Sequence, residues 1–477
     1  MNKVAVILLL FFFAYASTAE AQKVTVSDEI QIRADDHFRI LGQVGDRILL
    51  LTVKNQKTEV YSYDLNLGLR NEKELDLTGR HQRIIGTLGS EDHFFVFTQL
   101  RRDSDLHIIK WKYDPRLNLT DSATVAIASQ MQGYSRFLMT ESEDRSKVLF
   151  FRSDNAVNLQ TFCFDIHSEE VIWSKNFQIK GNLRQDFRKM LLANSGELVT
   201  VIERTERRFR RSGMHYEFYH FSGEGEISSP YILKAEDIHN YSNEFTFDNR
   251  HNQVIAAGMF YERSSSRADG HYHFRVKIGS PITHQFHHRN FSSELLAEVS
   301  AQNVSRNGIS EIQTNDILLR QDGGIVVFSE IEKIFERRPL YSQRGWGRSY
   351  GRSGWVDYQL EDVLITAFHP DGRLHWHEII YKKQYSQDDG AVYSSYSIFK
   401  SPSFLRILYN DEVSNHSTVS EFLLAAHGLS ERKSVLSTAY QDLKLRFSDA
   451  LQISSDTIII PSENRSRLKL VKVVFDR

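Results

Sequence analysis

The stretch FRILGQVGDRILLLTVKNQKTEVYSYDLNLGLRNEKELDL, Phe38–Leu77, decides the fold. Arg47–Val53 is a short apolar run of the kind a fully buried strand needs. Lys57–Asp64 alternates, with Thr58, Val60, Ser62 and Asp64 on one face and Glu59, Tyr61 and Tyr63 on the other. A period of two suits a strand and not a helix. Gly45-Asp46, Lys54–Lys57, and Asn66 with Gly68 are turn chemistry, because Gly and Asn tolerate positive φ. The stretch reads as four short strands joined by hairpins.

Outward from it, the same pattern recurs. Apolar or alternating pairs of segments follow at HFFVFTQL and LHIIKWKYD, at VLFF and LQTFCFD, at ELVTVIER and HYEFYHF, and at QVIAAGMFYE and HYHFRVKIG. They continue at GIVVFSE and DVLITAFH, at FLRILYN and EFLLAAHG, and at DTIIIPS and RLKLVKVVF. A repeat of about 45–55 residues with several short strands is propeller spacing. Repeated blades bury their faces on one another, so 477 residues need not split into several globular domains. The last unit is one strand short, while KVTVSDEIQIR, Lys23–Arg33, alternates with no partner nearby. The N-terminal segment is therefore expected to supply the outer strand of the last blade and hide an open edge. The expected fold is all-β, a single propeller over residues 22–477 with eight four-stranded blades. Seven is the alternative if Glu294–Gln313 does not separate two blades. One short helix is expected at Glu294–Ala301, capped by Ser292-Ser293 and apolar at Leu295, Leu296 and Val299.

Residues 1–21 read as a signal peptide: Lys3, an apolar run from Val4 to Ala16, and Ala19-Glu20-Ala21 before Gln22. The run is short for a bilayer span, and no other stretch qualifies. The expectation is an exported protein, periplasmic or at the cell surface, with no transmembrane segment in the mature chain. The only cysteine, Cys163, lies in a strand far beyond the cleavage site, so it is neither a lipoprotein anchor nor half of an internal disulfide. It reads as a small buried hydrophobe. A net charge of −2 means that any electrostatic attraction must come from local patches.

In such a blade the loop between second and third strands emerges on the same rim as the blade-to-blade connection. Arginines gather in those loops. Blade 2 offers Arg101 and Arg102, blade 4 offers Arg204, Arg207, Arg208, Arg210 and Arg211, and blade 5 offers Arg263 and Arg267. Blade 6 has a long insertion, about 333–355, with Arg337, Arg338, Arg344, Arg348 and Arg352 among Tyr341, Trp346, Tyr350 and Trp355. Arginine presents a planar fork of donors suited to carboxylate, sulfate or phosphate, and aromatics between them suit sugar or protein surfaces. The bland alternative is a set of solvated hairpin tips. Nucleic acid is not expected of an exported protein.

Three histidine groups invite a metal test: His271 with His273, His375 with His377, and His284 with His287 and His288. Two histidines two apart on a strand face the same way but make only half a site, so neither a metal nor a cofactor is expected. The sequence has no P-loop, H-E-x-x-H or paired cysteines. Catalytic residues are therefore unassigned, and an enzyme is the less favoured reading. A lyase acting on acidic polysaccharides would need Arg, His and Tyr to converge in one cleft.

ILLRQDGGIVVFSE (Ile317–Glu330) followed by DVLITAFHPDGRLHWHEII (Asp362–Ile380) resembles the blade pattern of exported bacterial β-propellers, particularly uncharacterised ones of the Bacteroidota. The resemblance spans nearly the whole mature chain but lacks the Gly-His…Trp-Asp signature of WD repeats and the paired glycines of kelch repeats. It implies the fold and no activity. The functional expectation is a binding or scaffold protein holding an anionic glycan or an envelope protein partner on its arginine and aromatic rim. The alternatives are the lyase and a structural subunit of an envelope assembly.

Overall fold

A computed structural model describes residues 22–475 except 34, 55–56, 78–81, 130–135, 155–156, 182, 209–210, 236, 280, 300, 306–307, 338–354, 414–417 and 438–441. The signal-peptide expectation at 1–21 lies outside these residues. The described strands form eight four-stranded antiparallel blades in a ring, a β-propeller.

Blade 1 shows why the sequence makes this fold. Its strands are His37–Val44, Arg47–Lys54, Lys57–Asp64 and Leu69–Glu74. The two central strands are buried on both faces, because each faces a different neighbour. Leu49, Leu51 and Val60 pack with Phe94, Val96 and Tyr113 of blade 2. Ile48, Leu50, Tyr61 and Tyr63 pack with Ile459, Leu468 and Leu470 of blade 8. A continuous apolar run is what a strand sandwiched between two sheets requires. The fourth strand is exposed throughout and reads as polar.

The third-to-fourth hairpins reuse one device. The Asp64 carboxylate accepts from the Asn66 and Gly68 amides and pairs with Arg70, while Leu67 adopts a left-handed conformation at φ 61°. Asp114 does the same for the Arg116 and Asn118 amides, with Leu117 at φ 69°. Asp165 accepts from His167 and Ser168, with Glu169 at φ 57°. The carboxylates of Asp64, Asp114 and Asp165 are thus turn-forming groups.

The ring closes as expected from the sequence. Lys23–Val26 pairs antiparallel with Arg467–Val474, from Lys23 opposite Val474 to Val26 opposite Val471. Ile30-Gln31 continues on the same strand opposite Leu468 and Arg467. The Ser27 amide bonds the Leu470 carbonyl at 2.9 Å. The last blade therefore combines the first and the last described strands. The first strand of blade 6 begins at Ile312, after an insertion that follows blade 5, so the count is eight and not seven.

That insertion holds the expected helix, at Ser293–Glu298, shorter than its sequence pattern allows. Ser292 caps it by accepting from the Leu295 amide, and Leu295 and Val299 pack against Met259, Ile331 and Leu364. A second, four-residue helix at Leu183–Asp186 was not expected. It is too short to show a periodicity. Cys163 is fully buried beside Trp173, and burial pushes its thiol up to about 12. No helix of the described residues is long and apolar enough to cross a membrane.

Candidate functional site

The second-to-third hairpins on the upper rim differ in height. In blades 1, 2, 3, 5, 7 and 8 those strands run 7 to 9 residues. In blade 4 both run 11, Leu198–Arg208 and Arg211–Phe221. In blade 6 they run 13 and 14, Ile325–Arg337 and Trp355–Phe368. Two tall ladders thus flank the blade 5 loop. Arg208 pairs with Arg211 and Arg207 with Ser212 at the head of the blade 4 ladder. Arg263 is exposed on the blade 5 loop. Trp355 opens the third strand of blade 6 opposite Arg337. Arg210, Arg344, Trp346, Arg348, Tyr350 and Arg352 lie outside the described residues.

Three of the arginines expected on the rim instead hold the fold. Arg204 pairs with Asp186 and Glu217. Arg267 bonds Asp269 at 3.0 Å, and Asp269 also receives the Glu262 amide, which shapes the blade 5 loop. Arg337 pairs with the fully buried Asp357.

The upper part of blade 6 is a three-stranded sheet. Lys333–Arg337 pairs with Trp355–Gln359, and Gln384–Gln387 pairs on the other side with Asp357–Leu360. Register puts Phe335, Trp355, Asp357 and Tyr385 on one face, where Phe335, Trp355 and Tyr385 remain 44%, 40% and 46% exposed. The Tyr385 hydroxyl donates to Asp357 at 2.8 Å. A bulge opposite Ile331 sets Glu361 and Asp362 into the blade. Lys333 bonds Glu361 at 2.8 Å, and Asn303 donates to the same carboxylate at 2.9 Å.

At the foot of this sheet lies a cleft of about 650 Å³ between the first strands of blades 5 and 6. Tyr241, Asn243, Gln313, Asn315, Glu332 and Ile334 are among its lining residues. The Thr314 amide bonds the Ser242 hydroxyl at 2.8 Å, and the Glu311 amide bonds the Tyr241 hydroxyl at 2.8 Å. These cross-links hold the two first strands together. Asn315 donates to Glu332 at 2.9 Å and reaches Glu330 behind it at 3.4 Å. Glu330 is wholly buried and paired with the equally buried Lys382, with Ser395 donating to it at 2.7 Å. Burial raises the Glu330 carboxyl and lowers the Lys382 ammonium, and each partner opposes the other's shift.

On the other flank, Asn243 donates to the hydroxyls of Tyr216 and Tyr272, which lie 2.8 Å apart. Tyr272 donates to Asn240, Asn240 to Glu203, and Arg188 to Glu203 at 2.8 Å. Burial raises both phenols. This chain joins blades 4 and 5. Its tyrosines are closed to solvent and its members include no histidine, so they do not form the open Arg–His–Tyr cleft that a lyase would use.

His271 and His273 do face the same way, against Phe368 of blade 6. They are buried, and burial lowers them to about 4 and about 3. No group of three or more potential metal ligands occurs among the described residues. Sequence reasoning missed Glu311, Gln313, Asn315 and Glu332, because nothing in EIQTND or SEIEK announces that two first strands meet there.

No family model and no curated protein matches the chain. Its fold is similar to solved structures at low identity. Dipeptidyl peptidase 4 of Porphyromonas gingivalis superposes with a TM-score of 0.47 at 11% identity, over 90% of this chain and 56% of that one. A quinohemoprotein alcohol dehydrogenase of Pseudomonas putida gives 0.40 at 8%, over 95% and 76%. The β-propeller domain of the Trilobed protease of Pyrococcus furiosus gives 0.36 at 13%, over 87% and 98%. These likenesses concern the propeller fold alone.

Proposed function

We propose that the chain is an exported binding protein, its signal peptide being residues 1–21, that holds an anionic ligand on the upper rim between blades 4 and 6. The observation that supports this reading is the height of those two ladders over all the other blades. Both lead into arginine-rich sequence: Arg207, Arg208, Arg210 and Arg211 in one, and Arg344, Arg348 and Arg352 in the other. A fork of guanidinium donors flanked by Trp346, Tyr350 and Trp355 suits the carboxylates or sulfates of an acidic glycan, or an acidic face of an envelope protein.

Native electrophoresis through gels containing acidic polysaccharides tests the glycan form. Retarded migration is expected, and the quadruple variant Arg208→Glu, Arg210→Glu, Arg344→Glu, Arg348→Glu is expected to lose it. Retardation that survives the quadruple variant sinks the rim. Migration unchanged across a broad panel leaves an acidic protein surface as the ligand. Export is read separately, from the N-terminal sequence of the protein recovered outside the cytoplasm. An intact Met1 there would overturn the signal peptide.

A further inference from the structure

The second strand of blade 6 outruns its first strand, and this leaves an edge. Glu311 adopts a left-handed conformation at φ 58°, and the first strand begins only at Ile312. Its last contact with the second strand is the Glu332 amide bonding the Glu311 carbonyl at 2.9 Å. Backbone groups alternate sides along a strand. The Glu332 amide points to the first-strand side, and the register runs without a shift from Glu332 opposite Leu360 to Arg337 opposite Trp355. The amides and carbonyls of Ile334 and Glu336 therefore point to that same side. Among the described residues no strand lies there.

The side chains along this edge are sorted by face. Lys333 and Arg337 share one face and are neutralised by Glu361 and Asp357. Glu332, Ile334 and Glu336 share the other. Ile334 is 58% exposed and helps line the 650 Å³ cleft at the foot of the sheet, together with Glu311 and Glu332. None of Glu311, Glu332 and Glu336 is in an ion pair with a described residue. An unpaired edge with an exposed isoleucine is a hazard that proteins blunt with prolines, lysines or covering loops. Here the edge instead offers backbone donors and acceptors, one apolar side chain and three carboxylates with no ion-pair partner among the described residues.

We propose that this edge is a docking site for an extended peptide, added as a strand beside Ile334–Glu336. Strand addition takes its affinity from main-chain hydrogen bonds and its specificity from alternate side chains. Directly opposed side chains on one face interact as cross-strand pairs. The residues opposite Ile334 and Glu336 would be apolar and basic. A second basic residue, two positions beyond the apolar one, would diverge from the strand where Glu311 already pairs with Glu332 and bring its side chain to these two carboxylates, so the fitting peptide has the pattern basic-x-apolar-x-basic, which reads the same in either direction. This site uses none of the rim arginines and takes a ligand of opposite charge.

The probe is the capped peptide Thr-Lys-Thr-Val-Thr-Lys-Thr, with its glutamate counterpart and a version of the same composition with adjacent lysines. Binding to the purified protein is followed by fluorescence anisotropy. The alternating lysine peptide is expected to bind at least about tenfold more tightly than either control, a difference of about 1.4 kcal/mol. Ile334→Pro removes a donor that no strand of the described residues uses, and proline is tolerated at such an edge. It is expected to weaken binding at least tenfold while the melting temperature holds. Glu332→Lys with Glu336→Lys is expected to invert the preference towards the glutamate peptide, a gain that a misfolded variant could not show. Failure of the lysine peptide to bind, equal binding of all three peptides, or affinity unaffected by Ile334→Pro would overturn the proposal. So would a protein that self-associates through this edge, which would make a second copy the occupant. Ile334→Pro leaves the arginine tips in place, so polysaccharide retardation still reports on the rim and the two proposals fail separately.

Discussion

Blades 1 and 6 begin alike and end differently. The second strand of blade 1 buries Ile48, Leu49, Leu50 and Leu51 in succession, and that of blade 6 opens with Ile325, Val326, Val327 and Phe328, equally buried. In blade 1 the strand then turns back at Lys54. In blade 6 it continues through Ser329 and Glu330, and the layer above contains Glu330, Lys382, Asp357, Glu361 and Asp362, all buried. Apolar burial stabilises the ring at about 25 cal/mol per Å². Buried charges are costly to desolvate and only offset that cost when well paired. The lower half of blade 6 thus serves the ring as blade 1 does, while its upper half carries groups that stability alone would not select.

The contrast is sharpest when the buried pair is broken. Lys382→Ala leaves the buried Glu330 carboxyl without its partner, and is expected to destabilise the protein by about 3–5 kcal/mol. Replacing both, as Lys382→Met with Glu330→Met, is expected to recover most of that loss. Urea melts of the three proteins check this, and a double variant no better than the single one would show that the pair is integral to the fold. Leu49→Ala is the matching cut in blade 1, with an expected cost of about 2–5 kcal/mol and no second-site rescue.

The seams between blades differ in the same manner. Blades 1 and 2 meet through leucine, valine and aromatic side chains. Blades 5 and 6 meet partly through His271 and His273, held at about 4 and about 3 in the fold. Their folded values lie below the ordinary histidine value of about 6.5, so below that pH the unfolded chain binds more protons than the folded one. Stability is therefore full above about pH 6.5 and falls as the pH drops towards the folded values. His271→Asn with His273→Asn is expected to flatten this part of the curve by a few kcal/mol between about pH 6.5 and 4, since each tenfold difference in proton affinity is worth about 1.4 kcal/mol. Melting temperatures across that range decide it, and an unchanged slope would place the acid sensitivity elsewhere.

The smallest effect belongs to the rim. Arg263→Glu is expected to change stability by no more than about 0.5 kcal/mol, as surface substitutions away from packed features do. A larger loss in thermal melts would mean that Arg263 serves the blade 5 loop and not a ligand.

Much of the fold is legible in the sequence for a physical reason. The alternation of Lys57–Asp64, the run Arg47–Val53 and the turn residues between them are local signals, and a propeller repeats them in every blade. Ring closure by Lys23–Val26 is legible because an unpartnered strand and a blade lacking one must satisfy each other's backbone. The cap at Ser292 is legible because capping is local too. Arg204, Arg267 and Arg337 show the limit. As letters they look like Arg211 or Arg263, but their role depends on carboxylates elsewhere in the chain that fold beside them.

The blade, its repetition, the strand that closes the ring and the buried state of Cys163 can all be read from the amino-acid order, since each follows from short-range pattern or from backbone groups that must be paired. Sheet packing alone brings Glu330 to Lys382 and Tyr216 to Tyr272 across two blades, and it starts the first strand of blade 6 only at Ile312, so that no strand of the described residues lies beside Ile334–Glu336. Those outcomes depend on how neighbouring sheets stack and where one strand ends against another, and no periodicity within a single segment encodes them.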